Sequence, residues 1–106
     1  MKTKKLVDIA KTIRSKNAGV DKITFDIIFR DEAEYRLVCR SGVITRATIC
    51  KLFNLRQDRI TDFAEFDPAF AIKFSILRER PSGSPGDPDI FGAQQYAPLM
   101  DIDVPI

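Results

Sequence analysis

The chain has 106 residues, 44% hydrophobic and 30% charged, with a net charge of +2. That is the make-up of one globular domain able to bury roughly 65% of its unfolded surface, and it excludes a wholly disordered chain. No apolar run approaches the ~20 residues of a membrane span, no apolar stretch follows the basic start Met1-Lys2-Thr3-Lys4-Lys5 as in a secretory signal, and Cys39 and Cys50 make no disulfide framework, so a cytoplasmic location is expected.

In chain order, residues 6–13 have two readings. Leu6, Ile9, Ala10 and Ile13 have helical spacing, whereas Val7, Ile9 and Ile13 share one face of a strand broken by Lys11. Arg14-Ser15-Lys16-Asn17-Ala18-Gly19 reads as a polar turn in which Asn17 and Gly19 take positive φ cheaply. Ile23, Phe25, Ile27 and Phe29 predict a strand with Asp26 on its outer side. Asp31 reads as a helix N-cap, with Glu32 and Glu34 in the first turn, Tyr35, Val38 and Cys39 on the buried stripe, and Ser41-Gly42 at the end. Thr45 caps a second helix that carries Ile49, Cys50 and Phe53 on one side and closes at Asn54. Residues 59–66 read as a strand or a crossover, and Asp67-Pro68 breaks the chain. Phe70, Ile72, Phe74 and Ile76 predict a strand over 70–77. Met100, Ile102, Val104 and Ile106 predict a last strand, which Pro105 suits to an edge. This order implies an α+β domain, a mainly antiparallel sheet with two helices on one face.

The chain has no histidine. That removes Ser-His-Asp and Cys-His activation and the usual zinc sets, leaving acid–base work to Asp, Glu, Lys and Tyr, whose ordinary pKa values lie far from 7. No metal, cofactor or independent activity is expected on these grounds. Both cysteines fall on apolar helix faces and read as small buried hydrophobes. Charge is uneven: Lys2, Lys4, Lys5, Lys11, Arg14 and Lys16 stand against Asp8 at the start, and Asp87, Asp89, Asp101 and Asp103 follow the last cation, Arg80. Head and tail either pair in the fold or present opposite charges to a partner. A pI of 8.6 without a zinc-finger or RNP pattern argues against nucleic acid.

Two segments have the residues of a binding site. Residues 81–98 hold three of the five glycines and four of the six prolines. Pro81, Pro85 and Pro88 stiffen this connection, Gly83 and Gly86 let a ligand approach the backbone, Ser82 and Ser84 offer hydroxyls, and Gln94-Gln95 offer paired amides. No Lys-Ser/Thr follows the glycines, so it is not a Walker loop. The second segment, Arg14 to Gly19, has two cations, a hydroxyl and an amide suited to a carboxylate or phosphate. The same residues also satisfy an ordinary solvated hairpin turn.

The runs Leu6-Val7-Asp8-Ile9-Ala10, Ile13-Arg14-Ser15-Lys16-Asn17-Ala18-Gly19, Phe25-Asp26-Ile27-Ile28-Phe29, Arg80-Pro81-Ser82-Gly83-Ser84-Pro85-Gly86-Asp87 and Gly92-Ala93-Gln94-Gln95 carry a resemblance. Nearly end to end, the chain resembles a family of short bacterial proteins of about this length, a domain of unknown function. Its members are typically encoded beside a larger protein of the AtuA type, named for acyclic terpene utilisation. The C-terminal ferredoxin-like domain of AtuA-type proteins opens with a strand and Arg-Ser-Gly-Asp-Lys-Gly, similar to Arg14–Gly19 but departing at Lys16, Asn17 and Ala18. The resemblance implies a ferredoxin-like sandwich, a strand at 6–13, and a turn facing a ligand or subunit, without a shared catalytic residue.

It further implies an accessory subunit or partner of an AtuA-like enzyme in organic-acid or acyl-CoA breakdown. Arg14, Ser15, Lys16, Asn17 and Gly19 would then lie near Ser82, Gly83, Ser84, Gly86, Asp87, Gln94 and Gln95, as an anion pocket or subunit interface. The alternative is a free-standing, homo-oligomeric module that binds a small carboxylate or phosphate.

Overall fold

The computed structural model of the chain describes residues 2–19, 21–78 and 97–106. Its elements are β1 (Thr3–Lys5), α1 (Leu6–Ile9), β2 (Thr12–Asn17), β3 (Lys22–Ile28), α2 (Glu32–Ser41), α3 (Arg46–Phe53), β4 (Ile60–Phe66), β5 (Ala71–Leu77) and β6 (Asp103–Pro105). Four strands form a sheet in the order β2-β3-β5-β4, every neighbour antiparallel, and β1 pairs with β6 in a separate ribbon. The layering is the α+β, ferredoxin-like sandwich expected, built from two hairpins joined by a helix pair.

The core lies between the sheet and the helices. Ile23, Phe25 and Ile27 of β3 stand opposite Ile76, Phe74 and Ile72 of β5, and all six are buried. The Phe25 and Phe74 rings stack at 4.7 Å, and Phe53 of α3 tilts against Phe25 at 5.3 Å. From α2, Tyr35 and Val38 complete this layer, with Ile49 from α3. Each fully buried side chain of this size contributes about 1.5–3 kcal/mol relative to exposure.

Both helices begin and end where their caps are encoded. Asp31 Oδ1 accepts from the Glu34 amide at 2.9 Å, and Gly42 closes α2 at φ 70°. Thr45 Oγ1 accepts from the Thr48 amide at 3.1 Å, and Asn54 closes α3 at φ 53°. These contacts satisfy backbone groups that the first and last turns leave without partners.

Three local expectations are corrected. Residues 6–13 are not one strand: Leu6–Ile9 form a single helical turn, because Leu6, Ile9 and Ala10 all reach the core while Val7 stays exposed. Arg14–Asn17 are not a turn but most of β2, drawn into the sheet by Ile13 opposite Ile27. The reversal falls just beyond, where the Ala18 amide donates to Lys22 and Gly19 sits at φ 98°. At the chain's end, Ala97–Asp101 form a 3-10 turn that buries Leu99, leaving only Asp103–Pro105 as strand.

The basic head and acidic tail do meet. Lys5 and Asp103 are cross-strand neighbours with a 2.9 Å ion pair, and this pairing raises the Lys5 pKa. Beneath them Leu6, Leu99 and Val104 join the core. No helix among the described residues is long and apolar enough to cross a membrane.

Candidate functional site

Strand alternation gives the sheet two faces. One faces the helices; among the described residues no helix packs on the other. The antiparallel register arranges that open face in cross-strand rows. The central row runs Arg14, Asp26, Lys73, Ala64 across β2, β3, β5 and β4. On one side of it lies Lys16, Thr24, Ser75, Asp62, and on the other Thr12, Ile28, Ala71, Phe66.

Asp26 is the unusual member. Its side chain is only 5% exposed, although it stands on the face that no helix covers among the described residues. Oδ2 accepts a hydrogen bond from Arg14 Nε at 3.0 Å. Oδ1 is buried without a hydrogen-bond partner among the described residues, and the Lys73 ammonium lies 3.7 Å from it. That separation is an ion pair but exceeds hydrogen-bond length. A buried carboxylate needs such neighbours, since an isolated charge removed from water is costly.

The two cations remain accessible, Arg14 at 56% and Lys73 at 43% side-chain exposure. Arg14 spends only Nε on Asp26; its Nη nitrogens have no partner among the described residues. Two cations around one anion leave the central row with a surplus positive charge, and in the next row Lys16 and Asp62 stand at opposite edges. Thr24 and Ser75 share a hydroxyl–hydroxyl hydrogen bond of 3.0 Å in the next row. On the far side Phe66 is 47% exposed, with the Lys73 ammonium 5.4 Å above its ring.

The sequence-derived site residues are therefore divided. Arg14 and Lys16 stand on the open face. Ser15 and Asn17 alternate to the helix side, where Ser15 is buried and Asn17 Oδ1 accepts from Arg78 at 2.9 Å. Gly19 shapes the hairpin turn. Ser82, Gly83, Ser84, Gly86, Asp87, Gln94 and Gln95 lie outside the described residues. Sequence reasoning missed Asp26 and Lys73 as a pair, and Thr24 with Ser75. One signal was available: a single opposite charge at the middle of each of the two most apolar strands.

Away from this face, an open groove of about 640 Å³ lies between the α2–α3 turn and β4, with Cys39, Arg46, Gln57, Phe63 and Glu65 in its lining. Its cation is already engaged: Arg46 donates to the Ile60 carbonyl and lies over the Phe63 ring. Burial, reinforced by Glu65, pushes the Cys39 thiol up to about 12, which leaves it protonated and unreactive near neutrality. Tyr35, raised chiefly by burial, donates to Asp67 Oδ1 at 2.5 Å. Among the described residues no three Cys, Asp or Glu side chains are placed to hold a metal ion.

Neither the curated proteins nor the solved structures contain a match to this chain. The model of the family described as domain of unknown function DUF4387 matches residues 6–103, and the chain belongs to that family.

Proposed function

We propose that this chain is a non-catalytic partner subunit that docks through the open face of its four-stranded sheet onto a larger protein of the AtuA type. The observation that carries the reading is the central row of that face, where a buried carboxylate holds two accessible cations beside an exposed aromatic ring. Such a row offers a partner both charge complementarity and an apolar contact. The identity of the partner rests on the resemblance of Arg14–Gly19 and the 80–95 motifs.

The test is affinity capture of the tagged chain from its native host, with the captured proteins identified by mass spectrometry. Wild-type chain is expected to bring down an AtuA-type protein in stoichiometric amount, and the double variant Arg14→Glu/Lys73→Glu to lose it. Recovery of the chain alone overturns the reading.

A second reading is favoured by the unused Nη fork of Arg14. A planar guanidinium pair beside Lys73 and Lys16 suits a small carboxylate or phosphate. In this reading the isolated domain, as monomer or homo-oligomer, binds the anion itself. Titration of the isolated chain with small anions separates the two.

A further inference from the structure

We propose that the open face is built for a short hydroxy acid, with Asp26 recognising the hydroxyl and Arg14 and Lys73 the carboxylate. The proposal rests on the small-anion reading and names its ligand class. Three observations on the central row converge on it.

Asp26 is itself an anion at the centre of a would-be anion site. A site for simple carboxylates has no use for it, since it repels the ligand and neutralises one of the cations. It becomes useful when the ligand also carries a hydrogen-bond donor. Oδ2 is occupied by Arg14 Nε, whereas Oδ1 is buried and lacks a donor among the described residues. A buried acceptor in that state is incomplete, and a ligand hydroxyl completes it.

Lys73 is the movable part. Its ammonium stands 3.7 Å from Oδ1 on a flexible, partly exposed stem. Swinging outward, it meets the ligand carboxylate and uncovers Oδ1 for the hydroxyl. Arg14 stays in place, because Nε holds Asp26 while the Nη fork faces the same carboxylate. The row of Ile28, Ala71 and Phe66 lies about 7 Å along the strands, two residues away, and receives the hydrocarbon end of a short acid.

The experiment is a titration of the ¹⁵N-labelled full chain, followed by amide chemical shifts, with two matched pairs: 3-hydroxybutyrate against butyrate, and lactate against propionate. The hydroxy acid of at least one pair is expected to bind about tenfold more tightly than its deoxy partner, with shifts centred on Thr24–Ile28 and Ala71–Ser75; tenfold corresponds to about 1.4 kcal/mol. In Asp26→Asn the ratio falls to about one, because the one remaining oxygen stays with Arg14 Nε and an NH2 group replaces the acceptor at the Oδ1 position. In Arg14→Ala both acids weaken together. Equal affinity for both members of each pair overturns the proposal while leaving anion binding at this face intact. Discrimination that survives in Asp26→Asn overturns it as well. Absence of shifts with all four acids removes both the proposal and the reading it rests on. If Asp26→Asn does not fold, the wild-type ratios alone decide.

Discussion

Asp26 occupies a position that folding alone would assign to an apolar residue. It lies mid-strand, its side chain nearly inaccessible, flanked along the same face by Thr24 and Ile28. Replacing a buried ion-paired residue by a hydrophobe of similar volume is often neutral or stabilising, whereas removing one partner strands the other charge. Asp26→Leu is therefore expected to unfold in urea within about 1 kcal/mol of wild type, or to be more stable. Arg14→Met is expected to cost about 1–2 kcal/mol, because the buried carboxylate loses its hydrogen bond. A loss of several kcal/mol in Asp26→Leu would make the carboxylate a structural element instead of a recognition group. Cys39 gives a second prediction at this scale. Its thiol is raised from the ordinary 9.0 to about 12, first by burial and then by Glu65. The folded state thus holds the proton more tightly than the unfolded state. This contribution to stability is complete below pH 9 and fades as pH rises toward 12. Tyr35 acts in the same direction, starting from 10.0. Denaturation midpoints are expected to fall above pH 9, and less steeply in Cys39→Ala; equal slopes would show that Cys39 does not contribute.

At the scale of elements, the caps set the helix boundaries. Gly42 sits at φ 70° with open space where a Cβ would go, so Gly42→Ala suffers backbone strain without a clash, and about 1 kcal/mol is expected in thermal unfolding. Thr45→Ala removes the acceptor for the Thr48 amide and is expected to cost a similar ~1 kcal/mol. If both are silent, the helices are held by Tyr35, Val38 and Ile49 alone. These boundaries were legible in the sequence because a cap is local: Asp31 and Glu34 are three residues apart. The central strands β3 and β5 were legible because one face of each packs against the helices and the other carries mostly polar side chains, giving clean alternation. The edge strands were not. β2 carries Arg14, Ser15 and Lys16, and β4 carries Thr61, Asp62 and Glu65, so the alternation that marks a strand is diluted where one side meets solvent. The short helix α1 was hidden by length, since four residues hold too few periods to separate 3.6 from 2. The site was legible in Arg14 and Lys16 only. Lys73 is 47 residues from Asp26 and meets it through the β3–β5 register, which depends on packing of the whole core.

At the scale of the molecule, the chain's two ends determine how cooperative the fold is. β1 and β6 pair across nearly the full length of the sequence, and the Leu6 amide donates to the Ile102 carbonyl at 2.8 Å. The Lys5–Asp103 ion pair on this ribbon is about half exposed on both sides and screened by solvent, so Lys5→Ala is expected to leave the thermal midpoint nearly unchanged. Leu6, fully buried together with Leu99 and Val104, is different: Leu6→Ala is expected to cost about 2–5 kcal/mol, because the surrounding core cannot fully close the cavity. The ribbon is fastened by apolar contacts with the helix layer more than by its charges. If those contacts make it part of one cooperative unit, the amides of Leu6 and of β3 and β5 exchange with deuterium at similar free energies, and Leu6→Ala lowers all of them equally. If the Leu6 amide exchanges far faster than the β3 and β5 amides in the wild type, the ribbon opens on its own. The four-stranded sheet, with its open face, would then be the independently stable part of the domain.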